Sequence, residues 1–254
     1  NPSFTVRHPH LNYLTGLRFL AALCIFSLHA SDHGLISSEF IKHIDLSKSV
    51  SFFFVLSGFV LSYAYDSKTL QISRFYLDRI SRVWPITIIS LIFTVILLPT
   101  NLYLPFPGSL SSSGWVLLSN IFCLQSLIPI PSYYFGYNAV AWSISTELIF
   151  YLLFPFINRL NKAKIFVLFL ILSFLVSFGS YLLSLTSLPF FSQYSFDSLS
   201  IHGYVYINPL FRLPEFILGI LSFKISLCFK SLASSRHIFY KYVIAALNCR
   251  FIVD

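Results

Sequence analysis

Arginine and histidine side chains share one face of the first apolar stretch of this chain. Arg18 and His29 lie 11 residues apart, which is close to three turns of an α-helix and about 16 Å of axial rise. If the stretch crosses a bilayer, a charge at its centre costs about 2.5 to 3.5 kcal/mol, so such residues are candidates for function. His29 would then be a candidate acid or base. The alternative is that Arg18 reaches lipid headgroups and His29 bonds a neighbouring helix.

A second cationic group precedes the third apolar stretch. Arg79 and Arg82 have i, i+3 spacing, so on a helix both guanidinium groups point the same way, and Arg74 lies just before them. Two converging guanidinium groups hold phosphate in a bidentate manner. The alternative is an ordinary cytoplasmic boundary whose cations pair with acidic lipid.

A carboxylate, Glu147, lies well inside the apolar run at 142–151. A buried carboxylate is too costly to leave unpaired, and a proton, a cation or a histidine would satisfy it. We expect Glu147 and His29 to lie at the same depth in the membrane, where they would form an acid–base pair. Glu215, which follows Arg212 by three residues, is the other carboxylate within an apolar run.

Membrane helices are the elements that must position these residues. Of the 254 residues, 56% are hydrophobic and only 10% are charged, whereas a soluble domain carries about 25% charged residues. This composition excludes a soluble, disordered, fibrous or disulfide-rich secreted protein. Segments this apolar must be helical in a bilayer, because each backbone N–H and C=O needs an internal partner. We predict an all-α, polytopic membrane protein with one domain over residues 1–254 and seven or eight apolar stretches, at about 16–36, 49–65, 83–98, 115–131, 140–157, 164–188, 207–227 and, more weakly, 238–253.

The basic residues predict the orientation of these stretches, since cytoplasmic loops carry an excess of Lys and Arg. If 115–131 re-enters the membrane or lies at its surface, all 17 basic residues except Lys42, Lys48 and Arg212 fall on one side. A full crossing would move the cluster at 159–164 to the other side and weaken the bias. We therefore predict a cytoplasmic N-terminus and a re-entrant or interfacial segment at 115–131.

Several kinds of site are not indicated by the sequence. The basic residues form no long run or patch suited to nucleic acid. The four cysteines lack C-x-x-C spacing, so neither a disulfide framework nor a metal site is expected. No G-x-S-x-G, H-E-x-x-H or P-loop motif occurs. In the second stretch we interpret Ser57 and Gly58 as a point of close helix approach rather than as a nucleophilic site.

Five motifs occur in order along the chain. They are Arg-x10-His at 18–29, Phe-Phe-Phe-Val-Leu-Ser-Gly-Phe at 52–59, Arg-x-x-Arg at 79–82, Trp-Ser-Ile-Ser-Thr-Glu at 142–147 and Arg-Leu-Pro-Glu-Phe-Ile-Leu-Gly at 212–219. With these motifs the chain resembles the acyltransferase-3 family of integral membrane O-acyltransferases. Members of that family modify sugars of lipopolysaccharide, peptidoglycan, exopolysaccharide, Nod factors or macrolides.

The resemblance implies transfer of an acyl group, above all acetyl, from acyl-CoA to a hydroxyl of a cell-envelope carbohydrate or glycolipid at the cytoplasmic membrane. Acyl-CoA would be a co-substrate, with no resident cofactor and no metal. His29 would activate the acceptor hydroxyl or briefly carry the acyl group, and Glu147 would orient or polarise the histidine or the acceptor. The donor's phosphates would be bound by Arg18, Arg79 and Arg82. Supporting positions would be Arg74, Trp142, Ser143, Arg212 and Glu215.

Length is the point at which the chain departs from the family. Members commonly have about ten membrane helices of about 20 apolar residues each, and this chain has seven or eight apolar stretches and no Met. We therefore expect a truncated or shortened member. Two other functions stay open: a transporter or flippase, in which buried Arg, His and Glu form a substrate or proton path, and an inactive remnant.

Overall fold

The computed structural model describes residues 12–32, 48–66, 70–98, 114–191 and 196–248. Its regular elements in these ranges are helices, without a strand, so the prediction of an all-α fold is confirmed. The longer helices are α1 (Asn12–Asp32), α2 (Lys48–Tyr65), α3 (Ile72–Leu97), α6 (Trp142–Asn158), α7 (Lys162–Ser184) and α8 (Pro209–Asn248). The shorter ones are α4 (Gly114–Ile121) and α5 (Pro131–Tyr134).

Four helical segments in the described ranges are long and apolar enough to cross a membrane. They are α2, α3, the segment Ala139–Asn158 that contains α6, and α7. Helix α1 has a shorter apolar part at Gly16–Ser31. The molecule is therefore a multi-pass membrane protein, and the four candidate spans among its described residues are fewer than the seven or eight apolar stretches predicted.

Two of the predicted stretches lie in α8 and are not among these four segments. The stretch at 207–227 lies in α8, where Arg212, Glu215 and Lys224 interrupt the apolar residues. One face of this part of α8, which includes Phe216 and Ile220, is buried in the bundle, whereas Leu210, Leu218 and Ile225 are exposed. The weaker stretch at 238–253 continues α8 as far as residue 248, and its last five residues lie outside the described ranges.

The stretch at 115–131 does not form one helix. It is divided among α4, a 3-10 turn at Gln125–Leu127 and the start of α5, with Pro129 and Pro131 at the break. An eight-residue helix rises about 12 Å, which is far less than the hydrocarbon thickness of about 30 Å. The structure therefore agrees with the prediction that this stretch is not a membrane-spanning helix.

Ring contacts and one hydrogen bond define the register of α2, α3 and α6. Near one end of the bundle, the ring of Phe75 stacks on that of Phe154 at 5.5 Å and meets the ring of Tyr65 edge-on at 5.2 Å. Near the other end, Asn138 Nδ2 donates a hydrogen bond of 2.9 Å to Ser90 Oγ. Helix α6 is therefore antiparallel to α3. We call the end near Phe75 the arginine end, because α3 begins there with its arginines, and the opposite end the cap end.

Two glycines allow α2 and α8 to pack closely. A Cβ atom on Gly58 would overlap the backbone oxygen of Phe216, and one on Gly219 would overlap that of Val55. Small residues at a helix contact let the backbones approach, which increases the dispersion contacts between helices in a membrane. The contact confirms the prediction for Gly58 and fixes the rotation of α2, which in turn sets the direction of Ser57.

The cap end of the bundle is covered by two segments, residues 114–141 and 196–208, which we call the end cap. Ser132 N donates to Phe196 O at 3.0 Å, and Ser200 N donates to Pro129 O at 2.9 Å. A π-helical turn at Gly203–Ile207 follows, and a Cβ on Gly203 would overlap the backbone of Pro129. These contacts join the two segments directly ahead of α8.

Candidate active site

One cavity inside the bundle contains most of the predicted site residues. It has a volume of about 640 Å³ and is lined by side chains of α1, α2, α3 and of the segment that contains α6. Apolar side chains form much of its wall, including Ile25, Phe53, Leu61 and Val83. The polar and charged residues of the lining are Arg18, His29, Ser57, Arg79, Arg82, Ser143, Glu147 and Tyr151.

Both candidates from the first helix face this cavity. Arg18 and His29 each line it, so the prediction that they share a face of α1 is confirmed. Their separation of 11 residues corresponds to about 16 Å along the helix axis. The side chain of His29 is exposed, and it forms no hydrogen bond or ion pair with any residue that the structure describes. Its imidazole nitrogens are thus open to a molecule in the cavity.

The Glu147 carboxylate is held by two hydroxyl groups. Ser57 Oγ donates a hydrogen bond of 2.8 Å to Glu147 Oε1, and Tyr151 Oη donates one of 2.6 Å to the same oxygen. Both donors are well buried, with 4% of Ser57 and 8% of Tyr151 exposed. The expected pairing of Glu147 with His29 is absent among the described side chains, although both residues line one cavity.

The helix register places Glu147 close to the arginines along the bundle axis. Glu147 precedes Phe154 by seven residues on α6, and Arg82 follows Phe75 by seven residues on the antiparallel α3. Because those two phenylalanines stack on each other, Glu147 and Arg82 start from the same axial level, about 10 Å inside the arginine end. Arg79 starts one helical turn nearer that end. The carboxylate is therefore nearer the cationic group than the sequence predicted.

Tyr65 holds Arg79 at the edge of the cavity. Arg79 Nη2 donates a hydrogen bond of 3.2 Å to Tyr65 Oη. The Arg79 guanidinium carbon lies 5.7 Å from the centre of the Tyr65 ring and 5.9 Å from that of Phe75, within cation–π range. Arg79 Nε is buried and has no hydrogen-bond partner among the described residues. Arg82 lines the same wall but its side chain is exposed.

Hydrogen bonds to the end cap fix the N-terminal half of α6, which carries Glu147. Ser145 Oγ donates to Cys123 O at 2.7 Å, and Thr146 Oγ1 donates to Ile207 O at 3.1 Å. Within the end cap, Gln125 Nε2 donates to Ala141 O at 3.3 Å, directly ahead of the first residue of α6. The motif at 142–147 therefore has two functions in the structure: its serine and threonine anchor the helix, and its glutamate faces the cavity.

The five predicted supporting residues lie in different places. Ser143 lines the cavity, whereas Arg74 is exposed and is not part of the lining. Trp142 is buried behind the wall, with its ring centre 6.4 Å from that of Phe54. Arg212 and Glu215 form an ion pair of 2.9 Å outside the lining.

The Arg212–Glu215 pair joins α8 to α2 and to the end cap. Arg212 Nη2 donates to Ser51 Oγ at 3.3 Å, and its guanidinium carbon lies 4.7 Å from the centre of the Tyr206 ring. The guanidinium carbon of Arg212 also lies 5.6 Å from the centre of the Phe54 ring. Phe54 itself lines the cavity. The pair thus supports the wall and does not face the space that the wall encloses.

Three residues at the cavity were not identified from the sequence. Tyr151 follows Glu147 by four residues, so the i, i+4 spacing on α6 was a signal that could have found it. Ser57 was assigned to helix packing together with Gly58, and only the neighbouring glycine has that function. Tyr65 gives no such signal, because its partner Arg79 is on another helix.

The fold and this cavity define a polytopic helical membrane protein with cations, a carboxylate and a histidine around one internal space. Residues 11–241 match the acyltransferase-3 family model, described as an acyltransferase domain, and the chain belongs to that family. Acyltransferase MdmB of Streptomyces mycarofaciens is 32% identical over 167 residues, which are 63% of this chain and 42% of that protein. The match therefore spans less than half of that relative's length. No solved structure shows a significant match.

Proposed function

We propose that this protein transfers an acyl group, in the first instance acetyl, from acyl-CoA to a hydroxyl of a cell-envelope carbohydrate or glycolipid. The observation that carries the proposal is that Arg18, Arg79, Arg82, His29 and Glu147 all line the same cavity. Membership of the acyltransferase-3 family and the similarity to Acyltransferase MdmB support acyl transfer as the reaction.

The donor would bind with its phosphates at the arginine end. Guanidinium groups hold phosphate through paired charge-assisted hydrogen bonds, and the exposed side chain of Arg82 lines the cavity together with Arg79. The apolar wall formed by Leu61 and Val83 would accompany the uncharged arm of the donor toward the centre of the bundle. An acyl thioester would in this way reach the level of Glu147.

His29 would remove the proton of the acceptor hydroxyl while that oxygen attacks the thioester carbonyl carbon. A carbon–oxygen bond forms, the carbon–sulfur bond breaks, and the CoA thiolate leaves as the ester product forms. The proton that His29 gained would then pass to the thiolate. This transfer gives the free CoA thiol and returns the histidine to its neutral form. General-base assistance of this kind contributes about 100-fold to 10,000-fold in rate. Glu147 would align the acceptor or stabilise the charge that develops on His29.

The distribution of positive charge supports a cytoplasmic arginine end. Helix α6 ends and α7 begins there, with Arg159, Lys162 and Lys164 between or within them. Lys224 Nζ donates a hydrogen bond of 3.3 Å to Asn158 O at the same end. By the positive-inside rule this end would face the cytoplasm, where acyl-CoA is found, and the cytoplasmic N-terminus stays a prediction from the sequence. The cap end would then face the envelope glycan, for which lipopolysaccharide is one candidate.

Label transfer in membranes tests this function. Membrane vesicles that contain the protein would be incubated with radiolabelled acetyl-CoA and a lipid-linked envelope glycan, and ester-bound label on the glycan would be counted. We expect transfer above that of vesicles without the protein, together with release of one free CoA thiol for each acyl group transferred. Thiol release without glycan labelling, or no release with acyl-CoA of any chain length, would reject the proposal.

A further inference from the structure

Serine and threonine side chains within membrane helices usually bond to their own helix. In this chain Thr87 Oγ1 donates to Val83 O at 3.0 Å, and Thr94 Oγ1 donates to Ser90 O at 2.9 Å, each four residues back. Ser57 departs from this pattern, as Ser145 and Thr146 do, but of these three it is the one that donates to a carboxylate, Glu147 Oε1. The difference shows that Ser57 contributes to the state of the carboxylate and not only to its own helix.

The two oxygens of Glu147 have different surroundings. Oε1 accepts hydrogen bonds from Ser57 Oγ and Tyr151 Oη, and a carboxylate oxygen has two lone pairs, so its capacity is filled. Oε2 has no hydrogen-bond partner in the part of the chain that the structure describes. Because Glu147 lines the cavity, Oε2 is the oxygen that remains to accept a hydrogen bond from a molecule there.

The two donors come from different helices, which restricts the carboxylate in two directions. Ser57 belongs to α2 and Tyr151 belongs to α6, one helical turn beyond Glu147. A side chain held from both directions cannot rotate to present Oε1 to the cavity without breaking both hydrogen bonds. The charged or titratable groups that share the cavity with it are Arg18 and His29 from α1, Arg79 and Arg82 from α3, and Tyr151 from α6.

We propose that Ser57 and Tyr151 are positioning residues that lock Glu147 with Oε2 as the one oxygen presented to the reacting groups. The inference rests on the proposed acyl transfer and assigns two residues to it that the motif analysis did not. Their function is exerted through Glu147, since their own hydroxyl groups are engaged with Oε1. Loss of either hydroxyl should leave donor binding intact and lower the rate of the chemical step.

The experiment compares Tyr151→Phe and Ser57→Ala with wild type in purified, bilayer-reconstituted protein. We expect the kcat of acetyl transfer to fall about tenfold for each variant, which is the size expected for a hydrogen bond to a charged group. The KM for acetyl-CoA should stay within twofold. Ser57→Thr keeps a hydroxyl and should retain most of the wild-type kcat. Tyr76→Phe is the matched control. It removes a tyrosine hydroxyl of α3 that donates to the backbone oxygen of Leu152 on α6, the helix that carries Glu147.

Infrared difference spectra give a second readout that does not need turnover. The carboxylate band of Glu147 is assigned by its loss in Glu147→Gln. We expect this band to shift in Tyr151→Phe and Ser57→Ala and to stay in place in Tyr76→Phe. An unshifted band in both test variants, or a raised KM with unchanged kcat, would overturn the positioning role. If wild type transfers no acyl group, the proposed function fails, while the infrared comparison still decides how Glu147 is held.

Discussion

The cavity and the end cap contain the same kinds of polar side chain, but those of the cap are enclosed by protein partners and those of the cavity are open. In the cap, Tyr134 Oη lies 2.9 Å from Ser200 Oγ and 3.4 Å from His202 Nδ1. The rings of Tyr134, Phe135, Phe190, Phe191 and Tyr206 surround His202 with centres 5.1 to 5.9 Å from that of the imidazole. In the cavity, His29 has no described partner and one oxygen of Glu147 is open.

This difference separates structural polar groups from those available for chemistry. Burial lowers the pKa of His202 to about 4, with a smaller contribution from the charge of Arg212, and burial raises the pKa of Tyr134 to about 12. Both groups therefore stay neutral near pH 7 and serve as hydrogen-bonding parts of a packed cap. Residue type alone does not distinguish the two histidines, whereas their surroundings do.

The largest effect that would sharpen the comparison is expected for Glu147→Gln. An amide keeps the volume of the side chain but removes the negative charge, so transfer should fall about 100-fold or more. Initial rates of label transfer at saturating acetyl-CoA measure this effect. If the variant keeps more than half of the wild-type rate, the Glu147 carboxylate has a structural role and does not take part in the reaction.

A somewhat smaller effect is expected when Arg79 and Arg82 are both replaced by Ala. Loss of two charge-assisted contacts to phosphate should raise the KM for acetyl-CoA about 10-fold to 100-fold, with kcat less affected. The KM measured in the same vesicles with varied donor concentration is the test. Arg74→Ala is the control, since that side chain does not line the cavity. An equal change in the Arg74 variant would mean that positive surface charge, not the cavity, binds the donor.

Replacement of Gly58 by Ala should act on stability first. The new methyl group meets the backbone of α8, and overpacking of this kind costs about 1 to 3 kcal/mol. Gly16→Ala is the matched control, because no atom lies within 4 Å of a Cβ built there. Thermal unfolding in detergent should show a lower midpoint for the Gly58 variant alone. Equal midpoints would contradict the close contact between α2 and α8.

The smallest effect concerns pH and the end cap. Because the pKa of His202 falls from 6.5 to about 4 on folding, the unfolded chain binds more protons between these values. The contribution of His202 to stability is therefore complete above about pH 6.5 and is lost as the pH falls toward 4. His202→Phe should remove this loss, so the wild-type midpoint should drop by about 2 to 4 °C more than that of the variant between pH 7 and pH 5. Parallel shifts in both proteins would show that other groups govern the pH dependence.

Much of the fold and part of the site follow from the sequence. Apolar runs locate α2, α3, α6 and α7, and helical spacing places Arg18 with His29 and Arg79 with Arg82 because these pairs each lie on one helix. Among the described residues, fewer helices qualify as membrane spans than the sequence predicted, because charged residues such as Arg212, Glu215 and Lys224 interrupt the apolar run at 207–227. The sequence could not show which helices face each other, so the hydrogen bond between Ser57 and Glu147 and the cation–π contact of Arg79 with Tyr65 required the structure.

The most direct test of the account compares the two histidines in one assay. His29→Ala and His202→Ala would be reconstituted at equal protein amounts, and label transfer from acetyl-CoA to the lipid-linked glycan would be measured at pH 7.5. We expect the rate of the His29 variant to be at least about 100-fold below that of wild type. The rate of the His202 variant should stay within about threefold of wild type. Undiminished transfer by the His29 variant, or a loss confined to the His202 variant, would contradict the assignment of the chemistry to the cavity.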